Sequence, residues 1–284
     1  MISVSAVSFG LITTQSRLAY DGGATPLTLA FLRTVAFVAV FGLILVILRR
    51  PWRLSRRGIA ATLWMAVALM MMSIGYLGSV YFIPVSLAAL IFYTFPFYVA
   101  VLSILAGRET MTATKGLALV IAFVGLAMAL GPSFAGLDWR GVALALTAAA
   151  GVTATITFGG PIMRANDPLL MNVGINFWMM LTLGSYMLAS GGVAFPTTPL
   201  GTVGLVGATA CYLVAFTTWL FGLRIVSPIR SAVLSNIEPL VTIAFAWLVL
   251  GERLAPLQLL GVALVIAAII GMTLSGADRR RVAA

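Results

Sequence analysis

Histidine is absent from this 284-residue sequence, cysteine occurs once, and charged residues make up only 8% of the chain. A single cysteine, Cys211, cannot form a disulfide within the chain, and without histidine most transition-metal sites lack their usual ligands. Soluble domains carry roughly a quarter charged residues, so this composition cannot build a water-exposed surface. We therefore expect no metal and no other cofactor, and we exclude an ordinary soluble domain.

The residue sets of membrane enzymes are missing as well. Zinc proteolysis needs the pattern His-Glu-x-x-His, which a chain without histidine cannot supply. An aspartyl dyad is excluded because no two acids lie deep in apolar segments. A Ser/Lys dyad is not expected either, because Lys115, the single lysine, lies at the edge of an apolar segment. The ATP-binding pattern G-x-x-x-x-G-K-[ST] does not occur either. We expect the protein not to be an enzyme.

Apolar residues are what the sequence has in excess, at 62% of the chain. Stretches of about 20 such residues recur, and each is long enough to cross a bilayer as a helix. Glycine, proline and charged residues separate ten of them, at approximately 3–20, 26–48, 58–80, 84–106, 112–131, 140–160, 168–190, 201–223, 228–250 and 256–275. The segment from Met1 to Arg17 lacks a basic start and a cleavage site, so we interpret it as a retained first helix. The prediction is an all-α integral membrane protein with ten transmembrane helices.

Seventeen basic residues against seven acidic ones give a net charge of +10. Because the charges lie between apolar runs and form no basic stripe with aromatic residues, we do not expect a nucleic-acid partner. Such an excess usually sets orientation and contacts lipid headgroups, with basic residues on the cytoplasmic side. If both termini are cytoplasmic, only four of the 17 basic residues fall on the outer side: Arg17, Arg33, Arg140 and Arg253. The cytoplasmic ones are then Arg49, Arg50, Arg53, Arg56, Arg57, Arg108, Lys115, Arg164, Arg224, Arg230, Arg279, Arg280 and Arg281.

The two halves of the sequence resemble each other. The run GLALVIA at 116–122 returns as GVALVIA at 261–267, Pro96 matches Pro239, and the GRE of 107–109 matches the GER of 251–253. Chance similarity between helices rich in Leu, Ala and Val is the competing explanation. We predict two five-helix repeats, 1–133 and 138–276, followed by a cytoplasmic basic tail, 277–284. Because five is odd, the second repeat enters the membrane from the opposite face, and such inverted repeats are typical of secondary transporters.

These landmarks also resemble a known family. The second half resembles the EamA-type drug/metabolite transporter superfamily at three motifs: Asn236-Ile-Glu238-Pro239, Leu250-Gly-Glu-Arg253 and Gly261-Val-Ala263. The resemblance covers nearly the whole chain. The first half departs from the pattern, with Phe95-Pro96 in place of Glu-Pro and Arg108-Glu109 after the glycine. The length and the aromatic-rich first half look most similar to YddG-type exporters of amino acids, including aromatic ones. The resemblance implies a ten-helix basket around a central cavity, lined by the first, third, fourth, sixth, eighth and ninth helices, with alternating access and no ATP hydrolysis.

Glu238 is the only acidic residue deep inside an apolar segment. An ionised side chain at the centre of a membrane helix costs roughly 2.5–3.5 kcal/mol on insertion scales, so it needs a partner, water or a proton. A contact to a substrate amine or a coupling-proton site is one interpretation, and a neutral acid hydrogen-bonded for packing is the other. Ser231, Ser235, Glu238 and Thr242 would form one polar stripe on a continuous helix, with Asn236 beside it.

Pro96 and Pro239 each remove a backbone donor in mid-helix, at matching positions of the two repeats. Kinked gates are the functional interpretation, because freed carbonyl groups near the midplane could bind an amine. A static kink that neighbouring helices tolerate is the alternative. We predict that both prolines take part in gating.

Aromatic residues crowd the middle of the fourth segment, where interfacial anchoring does not explain them. They are Phe92, Tyr93, Phe95, Phe97 and Tyr98. Tyr76 and Trp219 occupy matching positions in the third and eighth segments, with Ser79 and Tyr212 nearby. An aromatic-lined pocket suits amino acids or flat cations, whereas ordinary core packing is the alternative for each ring taken alone.

Polar sets in the first and sixth segments complete the candidates. The predicted substrate-binding or cavity residues are Thr14, Gln15, Tyr76, Ser79, Phe92, Tyr93, Thr155, Tyr212, Trp219, Ser235, Asn236 and Glu238. Hydrogen bonding between helices is the alternative for the threonines. Arg33 lies two turns inside the second segment and could snorkel outward. Close-packing glycines on the terminal helices of the repeats, Gly116, Gly125, Gly261 and Gly271, could also let two copies form a homodimer.

The sequence therefore predicts a transporter in the cytoplasmic membrane that exports amino acids and related small metabolites. Its partners would be a small-molecule substrate and membrane lipid. A passive channel or facilitator, or an exporter of other metabolites or cationic drugs, is the alternative. Channels usually build a filter from symmetric subunits, and the internal repeat argues for a carrier instead.

Overall fold

The protein was described from a computed structural model, which covers residues 1–49, 54–131, 137–190, 193–250 and 255–282. These ranges contain helices and no β-strand. The helices are α1 (Ile2–Asp21), α2 (Pro26–Ile47), α3 (Arg56–Phe82), α4 (Val85–Phe92), α5 (Phe95–Leu105), α6 (Ala113–Leu130), α7 (Trp139–Ala165), α8 (Pro168–Ser190), α9 (Pro199–Ile225), α10 (Pro228–Ser235), α11 (Ile237–Leu250) and α12 (Pro256–Val282). The all-α prediction is confirmed, and each of the ten predicted segments is helical. The predictions for Arg50, Arg53 and Gly251-Glu-Arg253 lie outside the described residues.

Length and composition identify membrane spans directly. In the part of the chain that the structure describes, six helical stretches are long and apolar enough to cross a bilayer: Pro26–Ile47, Arg56–Tyr76, Ser86–Leu105, Ala113–Leu130, Trp139–Ala165 and Pro199–Ile225. Large apolar side chains also point outward, with Leu188 90% exposed and Leu105 78% exposed. Water would penalise such a surface, whereas lipid does not. The protein is a multi-pass membrane protein.

Two of the ten predicted segments are each divided into a pair of helices. The fourth, 84–106, is α4 and α5, with the break at Tyr93 and Thr94. The ninth, 228–250, is α10 and α11, with the break at Asn236. Both breaks come two to three residues before a proline, because a proline fits the first turn of a helix but not its interior.

The chain forms two compact units, and each unit takes segments from both halves of the sequence. Unit 1 comprises Met1–Ala66, Pro161–Arg224 and Ile237–Glu252, and unit 2 comprises Val67–Gly160, Ile225–Asn236 and Arg253–Ala284. A compact unit is a different thing from a sequence repeat, so the division into repeats at 1–133 and 138–276 stays a prediction. Along the chain, unit boundaries fall directly before Pro161 and directly after Asn236.

In unit 2, α6 and α12 pack closely through a pair of glycines. A Cβ atom built on Gly125 would lie only 2.7 Å from the carbonyl oxygen of Gly261, and a Cβ on Gly261 would collide with the carbonyl oxygen of Gly125. Small residues that let helix backbones approach are the usual device of membrane helix packing. These two glycines therefore serve packing within the chain. Gly271, in contrast, has no atom within 4 Å of its Cβ position.

Gly125→Ala should lower the free energy of unfolding by about 1–3 kcal/mol, the usual cost of overpacking. The added methyl group meets the backbone of α12, which cannot move aside as a side chain could. The matched control is Gly116→Ala on the same helix, where the nearest atom is the Met111 sulfur at 4.0 Å. Unfolding in detergent, followed by tryptophan fluorescence, gives both values. Equal stability of the two variants would contradict this description of the α6–α12 contact.

In unit 1, α1 packs against α9 and α11 by the same means. A Cβ on Gly204 of α9 would lie 2.6 Å from the carbonyl oxygen of Gln15, and a Cβ on Gly10 of α1 would lie 2.7 Å from that of Glu238. The α2 helix packs on α8. The indole nitrogen of Trp178 on α8 donates a hydrogen bond to Thr62 on α3, at 3.1 Å. This unit therefore holds Gln15 and Glu238 on neighbouring, closely packed helices.

Candidate functional site

The break between α4 and α5 interrupts the helical hydrogen-bond ladder inside an apolar span. Pro96 has no N–H, so the carbonyl of Phe92 loses the partner that a continuous helix would give it. The backbone N–H and the hydroxyl of Thr94 both donate to the carbonyl of Ile91, at 3.1 and 2.6 Å, and so close the end of α4. The carbonyl oxygen of Phe92, next to Tyr93, is thus left without its helical hydrogen bond.

The end of α10 is built in a similar way. The side-chain amide of Asn236 turns back and donates to the carbonyl of Val233, at 3.1 Å. Pro239 lacks an N–H, which removes the normal helical partner of the Ser235 carbonyl. An asparagine that caps its own helix and a proline three residues later are therefore the local cause of this break.

Unit 2 brings Tyr93, Pro96 and Asn236 around one narrow space. Its other lining residues are Phe97, Leu119, Ala122 and Phe123. The space is too tight to hold a water molecule. The structure therefore places three predicted site residues together, at a point where both helix breaks contribute polar groups, around a space too narrow for a ligand.

Four of the predicted aromatic residues, Tyr76, Phe92, Tyr93 and Phe95, form one cluster in unit 2. The ring of Phe92 contacts Tyr76 edge-on with 5.4 Å between centroids, and contacts Tyr93 with 5.1 Å between centroids. Tyr93 is buried, whereas Tyr98 is 41% exposed and belongs to a different surface. Such edge-to-face pairs stabilise a fixed arrangement of rings. The aromatic wall beside the α4–α5 break is Tyr76, Phe92, Tyr93 and Phe95.

The predicted hydroxyl ligands of unit 2 bond to their own helices. Ser79 donates to the carbonyl of Tyr76 at 2.7 Å, Thr155 to Gly151 at 3.0 Å, and Ser235 to Ser231 at 2.9 Å. A hydroxyl that donates in this way keeps only its acceptor capacity for a ligand. Their predicted role in substrate binding stays a prediction, and they contribute first to the helices that carry them.

Unit 1 holds the other predicted site residues. Tyr212 is buried, and its hydroxyl donates to the side-chain oxygen of Asn176 on α8, at 2.8 Å. Trp219 is buried edge-on against Phe9, with 6.2 Å between ring centroids. Thr14 is buried on α1, and the neighbouring Gln15 has a buried side-chain oxygen without a hydrogen-bond partner among the described residues. These residues lie on α1 and α9, which pack against each other.

Glu238 lies in the first turn of α11, close to a helix start that the sequence did not reveal. The positive end of a helix dipole favours a negative charge there, which makes an ionised carboxyl less costly than at the middle of a continuous helix. Pro239 is the next residue and is buried. The expected single stripe of Ser231, Ser235, Glu238 and Thr242 is wrong in one respect, because the helix ends at Ser235 and restarts at Ile237.

Sequence reasoning missed how the connection between α5 and α6 is used. One carboxyl oxygen of Glu109 accepts a hydrogen bond from the backbone N–H of Ile229, at 3.0 Å, and the other pairs with Lys115 at 2.7 Å. Ser227, the residue before α10, makes no side-chain cap. Glu109 therefore supplies the negative charge and the acceptor that the start of α10 needs. The only signal in the sequence was Glu109 with Lys115 six residues later, and it did not indicate the partner helix.

Arg108, next to Glu109, reaches α7 at a point where Pro161 has removed a hydrogen-bond donor. The carbonyl of Thr157 is four residues before Pro161, so it lacks its helical partner. The Arg108 guanidinium donates to that carbonyl at 2.5 Å and lies 5.1 Å from the centroid of the Phe158 ring. A charged donor thus satisfies a carbonyl that proline left unpaired.

Arg108→Met should destabilise the protein by about 1–3 kcal/mol, because a buried acceptor loses a charged donor. Hydrogen exchange on α7 should rise around Thr157 and Phe158 more than elsewhere. The matched control is Arg140→Met, since Arg140 pairs with Asp138 at 2.7 Å at the start of the same helix with a largely exposed side chain. If both variants lose the same stability and α7 exchanges evenly, the Pro161-linked role of Arg108 is wrong.

Known proteins identify the class of this fold. The profile of the EamA-like transporter family matches residues 1–131 and 139–274, which is most of the chain. The chain belongs to the EamA-like transporter family. A relative from Archaeoglobus fulgidus, described as an uncharacterized transporter, is 27% identical over 280 residues, and the match covers 95% of this chain and 93% of the relative. The drug/metabolite transporter prediction is confirmed at this level.

A solved crystal structure shows the same fold as this EamA-like protein. It superposes with a TM-score of 0.79 at 16% sequence identity, over 97% of this chain and 98% of the other. The family and the relative are both transporters, a class whose members are generally not enzymes. Among the described residues, no group of three His, Cys, Asp or Glu side chains could hold a metal ion. The narrower likeness to YddG-type exporters, the inverted relation of the repeats and the site roles stay predictions.

Proposed function

We propose that this EamA-like transporter exports amino acids and related small metabolites by alternating access. The observation that carries the proposal is the pair of helix breaks in a chain of this family, with Tyr93, Pro96 and Asn236 beside them in unit 2. Discontinuous helices near the midplane are where secondary transporters bind substrates and coupling ions. Free backbone acceptors at such breaks suit a substrate ammonium group.

Aromatic side chains next to polar groups support this substrate class. Each unit, taken by itself, contains such rings: Tyr76, Phe92 and Tyr93 in unit 2, and Tyr212 and Trp219 in unit 1. Aromatic faces attract cations and pack against flat apolar groups, so amino acids with large side chains fit this chemistry. The tight space at the α4–α5 break must widen before any of them binds there.

The energy source that we propose is an ion gradient, because the sequence carries no ATP-binding motif. Glu238 is the acid that could carry a proton, since intramembrane ionisable residues commonly serve as proton relays. We further propose a location in the cytoplasmic membrane with both termini inside, on the grounds of the basic-residue distribution. A homodimer stays a prediction.

A flux assay with a substrate panel tests the proposal. Purified protein is reconstituted into vesicles, and uptake of labelled amino acids, amines and sugars is measured with and without a proton gradient. We expect saturable flux for at least one amino acid with a large side chain. Absence of saturable flux for every amino acid in the panel would contradict the proposal, and flux of an amine or sugar alone would assign another substrate class.

A further inference from the structure

Arg33 lies inside a membrane span and is not used by the function proposed so far. It is the eighth residue of α2, so it lies about 10 Å along the helix from its start at 1.5 Å per residue. The helix is one of the candidate spans, with 22 residues and a mean hydropathy of 2.5. A cation at this depth is expensive, and such residues usually mark a binding site or an ion path.

The guanidinium of Arg33 is held against an aromatic ring. Its central carbon lies 4.7 Å from the centroid of the Tyr212 ring on α9. The ring itself is fixed, because the Tyr212 hydroxyl donates to Asn176, and the Asn176 amide donates to the carbonyl of Asn172 at 3.0 Å. A cation above a ring is stabilised, but the ring satisfies none of the N–H donors of the guanidinium in a directional way.

One donor of Arg33 is left without a partner. Its Nε atom is buried and has no hydrogen-bond partner among the described residues. A buried donor without a partner destabilises the state that contains it, and a carboxylate would satisfy it. Arginine can bind a carboxylate through two N–H donors at once, and Nε is the donor of Arg33 that the described residues leave open.

No carboxylate of the described part of unit 1 pairs with Arg33. Asp21 pairs with Arg17 at 3.0 Å, and Asp167 accepts from the backbone N–H of Leu169 at the start of α8. Glu238 lies in the first turn of α11, and the ion pairs of the described residues, Arg17–Asp21, Lys115–Glu109 and Arg140–Asp138, include neither Glu238 nor Arg33. The positive charge of Arg33 is therefore not neutralised by the described residues of its own unit.

We infer that Arg33 binds the carboxylate of the transported metabolite. The inference rests on the proposed function and extends it, because it specifies that the substrate carries a carboxylate and names its binding residue. The carboxylate bonds to Nε and one terminal nitrogen, and the Tyr212 ring supports the opposite face of the guanidinium. Because Nε is covered in this structure, binding requires the side chains over it to move. A lipid phosphate is the competing source of an oxyanion.

The test compares a carboxylate with its decarboxylated analogue. Binding of L-phenylalanine, of phenethylamine and of benzoate, a carboxylate without an amine, is measured by calorimetry on the full chain in nanodiscs of zwitterionic lipid only. Arg33→Gln should weaken L-phenylalanine binding by at least about tenfold, since it removes a bidentate charged contact, while phenethylamine binding stays the same. Arg33→Lys should lose part of this affinity. Arg17→Gln, at an exposed arginine paired with Asp21, is the matched control and should bind as the wild type does.

Each other outcome overturns the inference. It falls if the Arg33→Gln variant binds L-phenylalanine as the wild type does, or if it loses both ligands equally. It falls if the wild type binds neither L-phenylalanine nor benzoate. Should Arg33→Gln fail to fold, Arg33→Lys decides, and unchanged L-phenylalanine binding in that variant counts against the site. Before reconstitution, anionic lipid that stays bound to the purified wild type but not to Arg33→Gln, without later L-phenylalanine binding, would assign the residue to lipid.

Failure of the proposed function is distinguishable from failure of this site. If benzoate binds in an Arg33-dependent way but no amino acid is transported, export of amino acids is wrong and the carboxylate site stands. If amino acids are transported with the same KM by the wild type and by Arg33→Gln, transport stands and the site is wrong.

Discussion

Glu238→Gln should abolish the accumulation of substrate driven by a proton gradient, while the protein remains folded and still exchanges substrate. Glu238 is the only acid deep inside an apolar segment, and it lies in the first turn of α11 where the helix dipole favours a negative charge. The low-dielectric surroundings oppose that charge. A carboxyl under two such opposed influences can gain or lose a proton as its surroundings change, whereas glutamine cannot.

The measurement is uptake into vesicles at several values of internal and external pH. The variant should reach equal concentrations on both sides, with no dependence on the gradient. Asp138→Asn is the matched control, because Asp138 pairs with Arg140 just before α7 and lies outside the span. Undiminished pH dependence in Glu238→Gln would reduce Glu238 to a structural role.

Pro96→Ala should slow transport by at least about tenfold, because it removes the cause of the α4–α5 break. Alanine restores the N–H that can bond to the Phe92 carbonyl, and proline in a helix interior is about 3 kcal/mol worse than alanine. A preference of about 1.4 kcal/mol for one state already changes a population tenfold. The restored hydrogen bond would favour one continuous helix and so hinder the rearrangement that opens the tight space beside Tyr93.

The control is Pro168→Ala. Pro168 is the first residue of α8, where a backbone N–H would have no hydrogen-bond partner within the helix. Turnover in vesicles would be measured together with hydrogen exchange at the backbone amide that Pro96→Ala introduces. If that amide is protected from exchange and turnover is unchanged, the break has no part in gating.

Most of the fold was predictable because lipid imposes a simple length rule. Ten apolar segments became ten helical stretches, with ends displaced by a few residues. The two helix breaks were not predicted, because a proline inside an apolar run is compatible with a kink as well as with a new helix start. A capping interaction decides between a kink and a new helix start, as the hydrogen bond from the Asn236 amide to the Val233 carbonyl does. A residue pattern does not show such an interaction.

The candidate site was predictable in part. Phe92 does contact both Tyr76 and Tyr93, because these residues lie close in sequence on adjoining helices. The contact of Arg108 with Thr157 spans 49 residues, and that of Glu109 with Ile229 spans 120. Contacts at such separations depend on which helices pack together. Arg33 was expected to reach outward, and only the structure shows its guanidinium on the Tyr212 ring.

Counterflow tests the carrier account most directly. Vesicles containing the protein are loaded with unlabelled L-phenylalanine and diluted into a trace of labelled L-phenylalanine, with no ion gradient. A carrier that exposes its site to one side at a time predicts transient accumulation of label above its outside concentration, followed by decay. Label that rises only to equal concentrations, with an electrical conductance linear in voltage, would contradict the account and indicate a passive channel.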